Sequence, residues 1–426
     1  MKFTKLSFVS AMAIIIIGAS CVSAMEYKVI GSKSTSLGGA SVAVRGDSMS
    51  VFNNPALLAK PTYDVEFSLG VGAAFTDNNA GASVSKLKDI DFKKLLEDYD
   101  PLTATPEQLA KLKNGRSIIM RMNDNSVNVS PAAFLGFQVK NIGFGVFGYG
   151  DINGQAKINQ SHNKLIIENP SSPGTYIDIE TSTPSDLAAY QASSIDYAIH
   201  NGLTYLDITG LAVMEVPVGY GHEFKTEIGS FSVGGSLKYM YGMTLAKSIN
   251  IDDDDITKDL DKNKKDTSTF GIDLGFLYEP AFLPQARIGL VGKNLNSPKF
   301  DILSGDSIKI DPQFRVGIAY DILESLEFAM DMDLTSNKSL VDNFNTQMVG
   351  GGLNWHPVSW ASLRGGLEKN IDSAANKSLV YTAGVSFGLK WFQFDIAGQY
   401  SSKSNTIEDK SVPEEAKVNI AIVSKW

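Results

Sequence analysis

Tyr63–Phe75, YDVEFSLGVGAAF, decides the fold class. Tyr63, Val65, Phe67, Leu69, Val71, Ala73 and Phe75 fall on one side of a period of two, and Asp64, Glu66, Ser68, Gly70, Gly72 and Ala74 on the other. Strict alternation marks a strand with two unlike faces. Phe314–Tyr320, Leu326–Leu334, Leu379–Leu389, Phe392–Tyr400 and Val418–Trp426 repeat it. A soluble sandwich and a membrane barrel can both alternate in this way, and strand length separates them. Most of the full strands to which such runs belong span 11–16 residues, beyond the ~5–6 typical of globular sheets and enough for the ~9–11 tilted residues that cross a bilayer.

Outward from that stretch the spacing gives fourteen strands, near 62–76, 126–141, 142–158, 205–224, 230–250, 267–279, 285–296, 311–321, 324–336, 345–356, 359–370, 379–389, 390–402 and 415–426. Long connections alternate with short ones, as in outer-membrane barrels with short periplasmic turns and longer outer loops. Trp355, Trp360, Trp391 and Trp426 all fall beside short turns or at the C-terminus, joined by Tyr63, Phe224, Phe231, Tyr278 and Phe282. That is an aromatic belt at one membrane interface, where amphipathic rings sit at headgroup level. A sandwich has no reason to sort its tryptophans to one end. The expected fold is all-β: a transmembrane antiparallel barrel of about fourteen strands with both termini periplasmic.

Ahead of the barrel lies Ser36–Lys60, SLGGASVAVRGDSMSVFNNPALLAK. Gly38-Gly39 and Gly46-Asp47 are turn chemistry, Asn53-Asn54-Pro55 interrupts regular structure, and Ala56–Lys60 can form one helical turn. We read this compact, partly apolar segment as a plug inside the lumen, the other arrangement being an arm on the periplasmic rim. Further upstream, Lys2 and Lys5, the apolar run Ala11–Ala19 and Val22-Ser23-Ala24 form a secretory signal, cleaved after Ala24. Cys21 suits a lipoprotein signal, but Gly18 stands where such a signal usually has Leu. The expected division is signal 1–24, hatch 25–61 and barrel 62–426. Cleavage removes the only cysteine, and with it any disulfide or thiol chemistry. It shifts the formal charge from −9 to −11, and an acidic exported chain argues against nucleic acid as a partner.

Gly-Gly-Ala at 38–40, Gly46-Asp47 and Asn53-Asn54-Pro55-Ala56 resemble the N-terminal pattern of the FadL-type family, bacterial outer-membrane transporters of long-chain fatty acids and other hydrophobic compounds. Related barrels share it: TraF-like conjugal transfer proteins and PorV-like secretion barrels. VGGSLKYMYG (233–242) and IGLVGKNLNSPKF (288–300) are more similar to the TraF-like branch. The resemblance implies a fourteen-stranded barrel with the Asn-Pro-Ala element in a hatch, so Arg45, Asp47, Asn53, Asn54, Pro55 and Ala56 are the candidate gate. It also implies a third-strand kink that opens the wall sideways. Gly148, Gly150, Asp151 and Gly154 are the candidates for that kink, because glycine weakens a strand and favours bulges; glycines that relieve lumen crowding are the other reading. Pro217 in the fourth strand adds a missing donor.

A hydrophobic cargo needs an apolar pocket along its path. Phe52, Leu57, Leu58, Phe134, Phe147 and Tyr149 are the candidates, set against ordinary packing. The opposite face of the strands carries charges of both signs, including Asp64, Glu66, Lys140, Glu215, Lys238, Asp273, Arg287, Lys293, Arg315, Asp331, Asp333, Arg364, Glu368, Lys390 and Asp395. Mutual pairing is the plain expectation for these, with Arg45 and Asp47 of the hatch as partners for wall charges. In the first long loop, Thr105-Pro106-Glu107 caps a helix ending near Asn114-Gly115, and Phe92–Leu96 suggests another turn. Asp186–Ala192 suggests a third helix. Asp252–Asp255 lacks the glycine and glutamate of a calcium loop and reads as a solvated loop able to bridge ions on lipopolysaccharide.

Four scattered histidines without metal spacing or a nucleophile elbow point away from catalysis. The expected role is passive uptake of hydrophobic small molecules such as long-chain fatty acids, with no cofactor. Its partners are outer-membrane lipid, lipopolysaccharide and the ligand. The alternative is a non-transporting TraF/PorV-like barrel serving as a surface, conjugation or secretion component.

Overall fold

A computed structural model describes residues 21–23, 25–97, 105–168, 176–178, 183–185, 192–250, 260–342, 344–372, 378–389 and 391–426. Fourteen antiparallel strands close into one barrel. They are β1 (Val65–Asn78), β2 (Ser126–Val139), β3 (Ile142–Lys157), β4 (Tyr205–Thr226), β5 (Gly229–Asn250), β6 (Lys264–Pro280), β7 (Ala286–Lys293), β8 (Gln313–Leu323), β9 (Leu326–Asp333), β10 (Met348–Val358), β11 (Ala361–Asn370), β12 (Leu379–Leu389), β13 (Phe392–Ser401) and β14 (Glu415–Lys425). Each pairs with its neighbour in sequence, and β14 closes on β1 from Glu66↔Lys425 to Thr76↔Glu415. The ends expected from the alternation hold to within three residues.

Alternation fixes what faces where. Leu69, Val71, Ile272, Leu274, Ile318, Leu363, Leu367, Val418 and Ile420 are exposed on the outer wall. Trp355, Trp360, Trp391 and Trp426 are exposed at the rim of short turns. The inner wall carries the charged set, with two exceptions. Asp64 sits exposed just before β1 and Lys140 exposed in the turn between β2 and β3, with Lys140 N donating to Asp64 O at 2.8 Å. They precede and follow the paired residues, so the pleat does not aim them inward. Lys390 lies outside the described residues, as do 186–191 and the aspartates 252–255.

The first long loop folds into helices α1 (Ala80–Asp89), α2 (Phe92–Glu97) and α3 (Pro106–Arg121). Thr105 and Gln108 close a capping box. Helix α3 does not stop at Asn114-Gly115 but runs to Arg121. Gly115 is there for packing: a Cβ would strike the Phe92 ring. Phe92, Leu112, Ile119 and Met122 join Ile158, Leu165 and Ile195 in a loop-side apolar cluster. The loop rim of the barrel thus has its own small core.

Candidate functional site

Most of residues 25–59 is buried against the inner faces of the strands. Ser36, Leu37, Ala40, Val42, Asn54, Ala56, Leu57 and Leu58 are almost wholly buried inside a wall whose inner face is largely polar. The Asn-Pro-Ala element forms one 3-10 turn, Pro55–Ala59. Asn54 Oδ1 accepts from Ala56 N at 3.0 Å, and its Nδ2 donates to Val42 O at 2.8 Å and to Phe276 O on β6 at 3.3 Å. Beneath the turn lie Gly221, Gly234 and Gly275, one from each of β4, β5 and β6 and in direct register. A Cβ on Gly234 would overlap the Pro55 carbonyl, and one on Gly275 the Asn54 side chain. The three glycines form a floor without side chains on which the turn sits.

The remaining segment is tied down by charge and backbone. Asp331 on β9 accepts from Ser41 N at 2.7 Å and Val42 N at 3.0 Å. Arg315 donates to Gly39 O and pairs with Asp333 at 2.6 Å. Lys28 pairs with Asp151 at 2.6 Å, and Lys60 bridges to Glu223 at 2.9 Å and to Glu279. Burial alone would lower the Lys28 ammonium, but the Asp151 carboxylate outweighs it and holds the group charged. Glu26 goes the other way: burial pushes its carboxyl up, opposed by Lys28 and reinforced by Asp151 and Glu368.

The expected gate residues separate into groups. Arg45 reaches the wall, pairing with Asp321 at 3.0 Å. Asp47 does not; it pairs with Lys33 at 3.2 Å and caps Met49 N at 3.0 Å, both within the segment. Asn53, Asn54, Pro55 and Ala56 are packed in the seat. Of the expected ligand-path residues, Phe52 stacks on Phe147 with centroids 4.8 Å apart and meets Tyr149 edge-on at 6.2 Å. Lys293 Nζ lies 3.7 Å from the Phe52 ring centroid. Leu58, with Val51, fills the space over Gly143 and Gly219. Phe52, Leu57, Leu58 and Phe147 are therefore core, and only Phe134 and Tyr149 line open space.

Two cavities flank this core. The outer one, about 180 Å³, lies toward the loop rim among Glu26, Ile30, Ala132, Tyr149, Glu368 and Lys417. The inner one, about 560 Å³, lies toward the turn rim among Lys33, Met49, Glu66, Phe134, Arg364 and Trp360. Ile30, Met49, Glu368 and Lys417 were not singled out as site residues. MEYKVIGSKST (25–35) carries no motif, and only the folded path brings Ile30 and Met49 together. Wall charges are largely mutually paired: Lys238 lies 3.1 Å from Glu215 and 3.0 Å from Asp273, and Arg287 lies 2.6 Å from Glu327.

In β3, Gly148, Gly150 and Gly154 sit on the outward side of the alternation and Asp151 points inward to Lys28. The β2–β3 ladder is interrupted between Val129↔Ile152 and Ala132↔Tyr149, leaving two residue pairs unmade with no change of register. Pro131, which has no N–H, falls in that gap. The strand is thus continuous and unbulged, and the weak point is an interruption opposite Gly150 and Asp151. The β3–β4 ladder has a like gap beside Pro217.

No curated protein sequence matches this chain. Among solved structures, the fold is shared with the Ralstonia pickettii toluene transporter TbuX (14% identity, 93% of this chain and 98% of that one, TM-score 0.51). It is shared also with the P. putida toluene transporter TodX (11%, 94% and 99%, 0.50) and the CymD monoaromatic hydrocarbon channel (11%, 94% and 99%, 0.51). At such identities the likeness speaks for architecture: a closed fourteen-stranded antiparallel barrel. The sequence profile of a protein family described as "F plasmid transfer operon, TraF, protein" matches residues 51–333, about two thirds of the chain and spanning the Asn-Pro-Ala turn and β1–β9. The chain belongs to that TraF family, and it folds as the closed fourteen-stranded barrel that TbuX, TodX and CymD share with it.

Proposed function

We propose that this protein is an outer-membrane channel for passive uptake of small hydrophobic molecules, exported by the signal at 1–24 and plugged by residues 25–61. The observation that carries the reading is the pair of cavities, one toward each rim, separated by a single layer of apolar side chains. The exposed apolar outer wall and the tryptophan rim fit a lipid setting. The size of the outer cavity refines the cargo. About 180 Å³ is close to the ~150 Å³ cavity that holds one benzene, so a single ring fits within it, whereas an extended long-chain fatty acid would have to reach beyond it. Toluene and monoaromatic hydrocarbons, for which TbuX and CymD are named, fall in that size class. The outer cavity reaches Ser130, Pro131 and Gly150 at the ladder interruption, which gives sideways release a place.

Equilibrium binding to the purified barrel tests this. Labelled toluene should bind saturably and labelled palmitate should not, and Ala132→Trp should abolish the toluene site by filling it. Equal binding of both, or binding indifferent to Ala132→Trp, refutes the assignment.

A second reading is favoured by the bonding of the plug. Three glycines seat it, Asp331 and Arg315 hold its backbone, and four of six expected path residues are core. A barrel that never opens would serve as a surface or conjugation component, as the family description suggests. A folded barrel that binds neither ligand would decide for it.

A further inference from the structure

Ile30 lines both cavities, whereas Gly31, Met49 and Phe134 line the inner one. Ile30, Met49 and Phe134 belong to one apolar cluster. Ala421 of the inner cavity is in that cluster too, and Ala132 of the outer cavity packs against it. Ala132 and Phe134 are successive lumen-facing residues of β2, so the two spaces are one side-chain layer apart, roughly 7 Å. On either side the lining is mixed and charged: Glu26, Lys28 and Glu368 outside, Lys33, Glu66 and Arg364 inside. A thin apolar layer interrupts a polar passage.

The chain crosses the layer at a glycine. Gly31 adopts φ 98°, a conformation that side chains disfavour, and a Cβ there would lie 3.5 Å from Met49 Cε and 4.0 Å from Phe134 Cζ. The chain is anchored on both sides of it. Upstream, Lys28 holds Asp151 and Lys417 donates to Val29 O at 2.8 Å; downstream, Asn419 donates to Thr35 at 2.8 Å. The Phe134 ring is packed onto Gly70 of β1, where any Cβ would push it.

We propose that Ile30, Met49 and Phe134 form a hydrophobic gate that admits small apolar molecules and excludes ions and hydrated solutes. This rests on the uptake reading for its cargo, not for its barrier. An apolar constriction dewets and blocks ions without closing sterically. A hydrated ion would have to shed water there, whereas an apolar molecule exchanges one apolar surface for another.

The test pairs ion conductance of the full barrel in planar bilayers with toluene uptake by cells expressing it. Wild type should conduct no more than the bare bilayer. Phe134→Ser and Ile30→Ser should each raise conductance about tenfold or more by wetting the layer, while Val44→Ser, on the inner cavity away from the layer, should not. Phe134→Trp thickens the layer and should cut toluene uptake without raising conductance; it decides the matter if the serine variants fail to fold. Folded serine variants at wild-type conductance, freely conducting wild type, or unchanged uptake in Phe134→Trp would overturn the gate. Conducting serine variants in a barrel that never takes up toluene would sink the uptake reading and leave the barrier standing. Normal uptake with indifferent serine variants would do the reverse.

Discussion

Gly234→Ala is the smallest change that should unseat the plug. A Cβ there overlaps the Pro55 carbonyl and lies 2.5 Å from Ala56 N, both backbone atoms that cannot swing aside. Forcing a methyl into a packed site costs about 1–3 kcal/mol, so the released state should become ~5–150 times more populated. The control is Gly148→Ala on the outward face, where the added Cβ meets only Ala133 O at 3.8 Å. That change should be neutral or stabilise by up to ~1 kcal/mol, because it removes the glycine's extra freedom in the unfolded strand. Limited trypsin digestion reads the difference, since cleavage of a transiently released segment tracks its population. Lys33 and Arg45 lie inside the plug and are the sites to follow. Faster cleavage there in Gly234→Ala, with the barrel band intact, is the expected result. Equal rates in the two variants would mean that the glycine floor does not hold the turn, and the packing argument fails.

Three other changes follow from the same contacts. Lys28→Met leaves the buried Asp151 carboxylate with the Ser130 hydroxyl but no countercharge and should destabilise by ~3–5 kcal/mol, with Lys28→Met/Asp151→Leu recovering part of it; urea unfolding in micelles measures both. Asn54→Ala removes a cap and two ties to backbone carbonyls, and should cost ~1–3 kcal/mol and speed cleavage at Arg45. Glu26, held above the ordinary carboxylate range by burial, is favoured in its protonated form by folding. Its contribution is present below the ordinary range and is lost as pH rises through the raised value. Glu26→Gln should therefore gain on wild type in unfolding midpoint as pH rises above the ordinary carboxylate range, and parallel pH profiles would contradict it.

The barrel was legible because a closed barrel gives each strand two unlike faces over a long run, and period two survives in β1, β8, β9 and β13 without tertiary help. The turn ahead of the barrel was legible through its chemistry: Ala56–Lys60 read as one helical turn, and Pro55–Ala59 forms one, capped by Asn54. The passage was not legible. Phe52 and Phe147 read as cargo contacts, yet they stack on each other, since an apolar pair from plug and wall buries itself unless something holds it apart. Asp47 read as a wall partner but found Lys33 fourteen residues away within the segment. Ile30 became a boundary residue only through the path of 25–35 between β2 and β14, which no local signal encodes. Helix α3 overran its apparent Gly stop because Phe92, distant in sequence, occupies the space beside Gly115.

The most direct test of the account is uptake of labelled toluene by a Gram-negative host with intact lipopolysaccharide and its own hydrophobic channels deleted, with and without this barrel. The account predicts saturable, barrel-dependent uptake that Ala132→Trp abolishes. Uptake identical in both strains, with the barrel folded in the outer membrane, would contradict it.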